Sequence, residues 1–136
     1  GNYLSQYFAN FYLTYFDHWI KEIKKVNYYF RYADDIVILS SDKSHLHELL
    51  FEIDQYLKIN LNLEIKSNYQ IFPVEARGID FVGYKFYHSH TLLRKSIKKR
   101  FAKKMKNNPT KSTLASYYGW AKHCDSKHLL KKLVTQ

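Results

Sequence analysis

Two acids stand side by side at Asp34-Asp35, between two runs that read as β-strands. Upstream is Asn27-Tyr28-Tyr29-Phe30-Arg31; downstream is Ile36-Val37-Ile38-Leu39. Aromatic and β-branched residues favour strands, and the short break between the runs predicts a hairpin over 27–40 with a tight turn at Ala33-Asp34-Asp35. Adjacent carboxylates repel each other, and each is costly to strip of water. At the tip of a rigid apolar hairpin they make physical sense if a cation joins them, and hard carboxylate oxygens suit a divalent ion. The run from Ile36 to Leu39 is apolar on both faces, which predicts a central strand in a sheet covered by helices.

The flanking segments suit that arrangement. Leu4, Phe8, Phe11, Tyr12, Phe16, Trp19, Ile20 and Ile23 recur at helical spacing, predicting a helix from about residue 5 to 25. Asp42 is placed to cap a second helix running to about Ile59, with Leu46, Leu49, Leu50, Ile53 and Leu57 as its apolar face. Short strands are expected near 62–66 and 69–72, with Pro73 as a break. A further strand is expected from Ile79 to Tyr87, opened by Gly78, then a turn at His88-Ser89-His90. Leu93, Ile97, Phe101 and Met105 lie four apart, the stripe of a helix otherwise covered by lysines. Asn107-Asn108-Pro109 ends it, and two more helices are expected over 112–122 and 126–134.

Charge divides the chain. Residues 1–93 carry nine Lys/Arg against eleven Asp/Glu, whereas residues 94–136 carry thirteen against Asp125 alone. A cationic segment of this density attracts a polyanion, most often nucleic acid, with an anionic membrane surface as the competing reading. Neither a membrane-spanning apolar run nor a signal-peptide pattern is present. The single cysteine, Cys124, excludes an internal disulfide and fits a reducing, cytoplasmic setting.

Five segments, in order, resemble reverse transcriptases. Tyr32-Ala33-Asp34-Asp35 is similar to their Tyr-x-Asp-Asp signature. Gly1-Asn2-Tyr3-Leu4-Ser5-Gln6 resembles the Gly-x-x-x-Ser-Gln block before the palm helix, and Gln at that place resembles enzymes of diversity-generating retroelements. Gly78-Ile79-Asp80-Phe81-Val82-Gly83-Tyr84 resembles the primer-grip strand, followed by Leu92-Leu93-Arg94-Lys95. Tyr118-Gly119-Trp120 through His123-Cys124-Asp125-Ser126 resembles the thumb of that lineage.

The resemblance implies an α+β fold. Residues 1–92 would form a partial polymerase palm, a small antiparallel sheet packed on two helices, and residues 93–136 a basic helical thumb. It implies a C-terminal part of an RNA-directed DNA polymerase, using an RNA template, a DNA or RNA primer and deoxynucleotides. Two Mg2+ ions, or Mn2+ in their place, would be held in the complete enzyme. Asp34 would be the direct ligand and Asp35 a weaker one. Lys66 would donate a proton to the leaving pyrophosphate. Gly1, Ser5, Gln6, Tyr32 and Ala33 would contact nucleotide or template, and Phe81, Val82 and Gly83 the primer. Arg94, Lys95, Lys98, Lys99 and Lys103 would follow the nucleic-acid backbone. Family members of this type work with a small basic accessory protein; no membrane partner is expected. The family's other metal-binding Asp precedes the Gly-x-x-x-Ser-Gln block, so these residues alone are expected to be inactive, and an exposed palm-sheet edge would favour self-association. The alternatives are a non-catalytic nucleic-acid-binding module, or the reverse transcriptase of a retron, a group II intron or an antiphage defence system.

The histidines fit a catalytic or zinc role poorly. His45 and His47 are two apart on a helix and face different directions. No cysteine or carboxylate cluster completes a zinc set around His88 and His90. His123-Cys124-Asp125 are adjacent, so they cannot adopt the mutual geometry of a triad.

Overall fold

The first apolar stripe does not form one helix. In the computed structural model, which describes residues 3–107 and 109–134 with the side chains of Tyr3, Gln6, Leu133 and Val134 excepted, it breaks into three pieces. Helix α1 (Tyr3–Tyr12) ends where Leu13 leaves helical geometry, and α2 (Thr14–His18) then runs into a π-helical turn, Trp19–Ile23. The wide turn closes through the Lys24 amide donating to the Trp19 carbonyl at 2.9 Å. Lys25 takes φ 53° and the Val26 amide reaches back to the Ile20 carbonyl, a left-handed stop of the kind glycine usually makes. Only Phe16 and Ile20 of the stripe are fully buried; Leu4, Phe8, Phe11, Tyr12 and Ile23 are exposed.

The hairpin forms as expected. Strands β1 (Tyr28–Tyr32) and β2 (Asp35–Leu39) pair antiparallel, with Tyr32 opposite Asp35 and Tyr28 opposite Leu39. The turn is therefore two residues, Ala33 and Asp34, and Asp35 already belongs to the second strand. Alternation sends Tyr29, Ile36 and Ile38 inward against the core. Tyr28, Phe30 and Tyr32 remain exposed on the other face. The sheet has two strands, which corrects the expectation that β2 is central: its far edge pairs with no strand among the described residues.

Helix α3 (Lys43–Leu61) covers the inner face with Leu49, Ile53 and Leu57, which join Phe16, Ile20 and Val26 in one core. Its cap is the one read from the sequence: Asp42 accepts from the amides of Ser44 at 2.8 Å and His45 at 3.3 Å. Asn62 ends it at φ 50°. The strands expected at 62–66 and 69–72 are not formed. The Leu63 and Tyr69 amides turn back to the carbonyls of Leu57 and Lys66, so this segment spends backbone donors locally rather than on a ladder.

Pro73 starts a single turn, α4 (Val74–Arg77), rather than only breaking the pattern. The expected strand 79–87 is split. Strands β3 (Ile79–Phe81), β4 (Tyr84–Phe86) and β5 (Thr91–Leu93) form an antiparallel sheet in that order, with a two-residue turn at Val82-Gly83. Both turn residues have positive φ, 43° and 88°, the geometry that matches strand twist in a tight hairpin. Gly83 is needed twice over: a Cβ there would stand 2.5 Å from the Trp120 ring. Helices α5 (Lys95–Asn107), α6 (Lys111–Ala121) and α7 (Lys127–Val134) follow. Phe101 is buried and stacks on Tyr117 at 4.5 Å, and Leu93 and Ala121 are buried with them.

Two compact units result, residues 1–71 and 72–136. Their boundary lies ahead of the composition shift at 92–94. Strands β3 to β5 belong with the basic helices because Gly83 packs on Trp120 and Ile97, and Thr91 exchanges hydrogen bonds with Asp125. The mixed α+β class stands. Among the described residues no helix is long and apolar enough to cross a membrane.

Candidate nucleotidyl-transfer hairpin and cationic helix

The hairpin tip carries the two acids. Asp34 occupies the turn, and its Oδ2 accepts from the Lys66 ammonium at 2.7 Å, with both side chains about 70% exposed. The hydrogen bond from Lys66, then the Asp34 backbone and the lysine's charge, hold the Asp34 carboxyl below its ordinary value. The same contact raises Lys66. Asp35 sits across from Tyr32 on the outward face, in line with Phe30 and Tyr28 on the partner strand. The donor set is thus two open carboxylates, chemistry that suits a hard, partly hydrated divalent ion. Among the described residues no group of three metal-binding side chains forms.

Behind the tip is a clamp the sequence reading missed. Arg31 faces inward and grips Asp17 of α2 with both ends of its fork: Nε to Oδ1 at 2.7 Å and Nη2 to Oδ2 at 2.5 Å. Tyr29 donates to the same carboxylate at 2.5 Å. The remaining guanidinium nitrogen donates to the Ala33 carbonyl at 2.9 Å and to Asn10 at 3.1 Å. Ala33 lies at φ 53°, which costs a residue with a Cβ about 1 kcal/mol or more. The hydrogen bond from Arg31 holds it there, so the clamp fixes the peptide that precedes Asp34. The signal for it was legible: Arg31 alternates with Tyr29 on the inward face, and a cation there needs a buried partner.

Burial works to raise the Asp17 carboxyl, but the hydrogen bonds from Arg31 and Tyr29 and the charge of Arg31 outweigh it and hold the group below the usual range. Burial first, and the bond to Asp17 second, push the Tyr29 phenol upward. A depressed carboxyl contributes stability that is complete above its unfolded value near pH 4 and is lost as pH falls through the lower folded value. Asp17→Asn is therefore expected to destabilise residues 1–71 by about 2–3 kcal/mol at pH 7. The penalty should shrink below about pH 3. Urea unfolding followed at both pH values checks this; an equal penalty at each would show that the carboxylate charge is irrelevant.

The other sequence-derived positions are distributed as follows. Gly1 lies outside the described residues. Ser5 is the third residue of α1 and exposed; Gln6 is in the same turn, its side chain outside the description. Phe81, Val82 and Gly83 are the end of β3 and its turn, so the single strand expected over 79–87 is interrupted there by a hairpin turn. That turn is held by Trp120, whose carbonyl also accepts from the Tyr84 hydroxyl at 3.0 Å. Arg94 is engaged by Asp80 at 2.5 Å, which leaves it less available to a phosphate than the lysines. On α5, Lys95, Lys99 and Lys106 face away from buried Phe101, Lys98 is half-buried on one flank, and Lys103 is exposed. Residues 72–136 hold fifteen Lys/Arg against three acids. All three acids are engaged: Glu75 meets the His88 ring at 2.8 Å, Asp80 is ion-paired with Arg94, and Asp125 accepts from the Thr91 amide.

His123, Cys124 and Asp125 form no triad. Burial raises the Cys124 thiol, which donates to the Ala121 carbonyl at 3.5 Å, while Asp125 turns to Thr91. No protein-family model and no curated protein matches the chain.

Proposed function

We propose that the chain is the palm-and-thumb part of an RNA-directed DNA polymerase, of the kind found in diversity-generating retroelements. The observation that carries the reading is the two-residue turn in Tyr32-Ala33-Asp34-Asp35, clamped from behind by Arg31 and leaving both acids open at the tip. Mg2+, when bound, supplies Lewis acidity at the reacting phosphate. Asp34 would hold the ion most directly and Asp35 would add to the site from the neighbouring strand position. In the reaction the primer 3′-oxygen bonds to the nucleotide α-phosphorus, the bond to the bridging oxygen breaks, and pyrophosphate leaves. Tyr32, exposed beside the acids, offers a ring to the primer end or a base. Lys66 is protonated and engaged by Asp34, so it serves first as counter-ion and must let go before acting as a proton donor.

Magnesium-dependent extension of a primer on an RNA template, by a protein carrying this hairpin with its upstream acidic strand, tests the reading. A second reading, a non-catalytic duplex-binding module, rests on the charge of residues 72–136; no extension by such a protein would favour it. Both readings share one expectation. Duplex affinity of the 136-residue chain should fall steeply with salt, and removing charge at Lys98, Lys99 and Lys103 should flatten the logarithmic slope by about 2–3. Anisotropy titrations at several salt concentrations measure it, and an affinity indifferent to salt would defeat the thumb assignment.

A further inference from the structure

The cations of α5 do not form one surface. Arg100, Lys103, Lys104 and Asn107 follow the i, i+3, i+4, i+7 spacing of a single helical stripe, and that stripe is turned toward α6. With Thr113 of α6 they line a groove of about 330 Å³. Lys95 and Lys99 belong to a different stripe, on the side of α5 away from Phe101, and Lys103 stands on the border between the two. Spacing fixes the separation: Arg100 and Lys104 lie on a flank of Phe101, whereas Lys99 lies nearly opposite it.

The groove is electrostatically unsatisfied. Among the described residues no carboxylate pairs with Arg100, Lys103 or Lys104, and the three acids of this unit are engaged elsewhere. Like charges at i, i+3 and i, i+4 repel, so this concentration is unfavourable until an anion enters. The fork of Arg100 can bind two phosphate oxygens at once, and Lys103 and Lys104 add point charges at either side. The Asn107 amide and the Thr113 hydroxyl at the rim offer neutral hydrogen bonds to a sugar. Four of its five lining residues come from α5 and Thr113 alone from α6; at about 330 Å³ the groove holds no more than a short length of one strand's backbone, and a duplex is too wide to enter it.

We propose that this groove is a second phosphodiester site, taking the backbone of a single-stranded nucleic acid apart from any duplex held on the Lys95–Lys99 stripe. It rests on the nucleic-acid reading above and adds a separate strand to it.

Two double variants with the same change in net charge separate the claims, each a pair of exposed side chains. Arg100→Glu/Lys104→Glu alters the groove, and Lys95→Glu/Lys99→Glu alters the outward stripe. Anisotropy of labelled 12-nucleotide oligouridylate, 12-nucleotide oligothymidylate and a 16-base-pair duplex is read with the 136-residue chain at 100 mM salt. The groove variant should weaken at least one single strand about tenfold and the duplex less than twofold, while the stripe variant should do the reverse. Whichever oligonucleotide responds identifies the strand as RNA or DNA. Parallel losses for single strand and duplex in the groove variant would overturn the proposal, as would no loss at all. Arg100→Gln/Lys104→Gln, checked by circular dichroism, guards against a folding artefact and should give a smaller loss in the same direction. If the stripe variant leaves duplex binding intact while the groove variant still weakens a single strand alone, the thumb reading fails while the groove stands.

Discussion

Asp34→Ala, in a polymerase that carries this hairpin, is expected to lower magnesium-dependent primer extension at least about a thousandfold and to leave duplex affinity within about twofold. The first figure follows from the proposed function, on which the substitution would remove a charged group aimed at the reacting phosphates, where single losses typically cost two to three powers of ten. The second follows from location: Asp34 is an exposed turn residue whose side chain pairs with Lys66, while the cations of α5 lie in the other unit. A fully exposed turn position tolerates substitution with little change in stability, so lost activity would not mean lost fold. Primer extension and anisotropy on the same preparation provide both readings. Extension within tenfold of the parent would mean that Asp34 does not hold the metal, and the functional assignment of the hairpin would have to be withdrawn. Strong extension by the 136 residues alone would equally contradict the need for a third acid.

Phe16→Ala is expected to cost about 3–5 kcal/mol. Phe16 is fully buried and its ring meets Trp19, Tyr29 and Tyr56 at 6.1, 6.3 and 5.7 Å between centroids. Those three neighbours come from the π turn, the hairpin and α3, so one ring joins every element of residues 1–71 that supports the acids. A unit of this size has a total stability near the low end of about 5–15 kcal/mol, and the substitution would consume most of it. The loss should be confined to that unit. In a Trp120→Phe background Trp19 is the sole indole, and its urea transition should move to much lower denaturant. The reverse background, Trp19→Phe, should show the Trp120 transition unmoved by Phe16→Ala. A common shift in both would mean that the two units unfold as one.

Much of this arrangement was legible from spacing. Asp42 as a cap, the acid-tipped hairpin, and the stripe ending in Phe101 all depend on local chemistry, and local chemistry decided them. The misreadings have another origin. The segment 62–72 has strand-like composition, but a strand needs a ladder, and its amides found nearer acceptors. Residues 79–87 read as one apolar strand, but the two-residue turn shifts the alternation by one and sets Phe81 opposite Tyr84; the positive φ of Val82, unusual for a β-branched residue, marks the reversal. The break at Leu13 and the π turn accompany the stacking of Trp19 on Phe16 and Tyr56, which no helical period encodes. The Asp17–Arg31 clamp joins residues 14 apart in sequence, from two elements whose packing had first to be known.

Lys66 reaches the hairpin tip from the irregular stretch after α3, thirty-two positions along the chain from Asp34. Its ammonium halves the charge at the tip before any metal arrives. The hairpin can therefore assemble without two bare acids forcing it open, and on the proposed function an incoming ion would exchange with a resident one instead of filling a void. Metal loading would then expel a lysine, and with it loosen the stretch from residue 62 onward. The status of the metal site would be written into the mobility of a segment that never touches the metal.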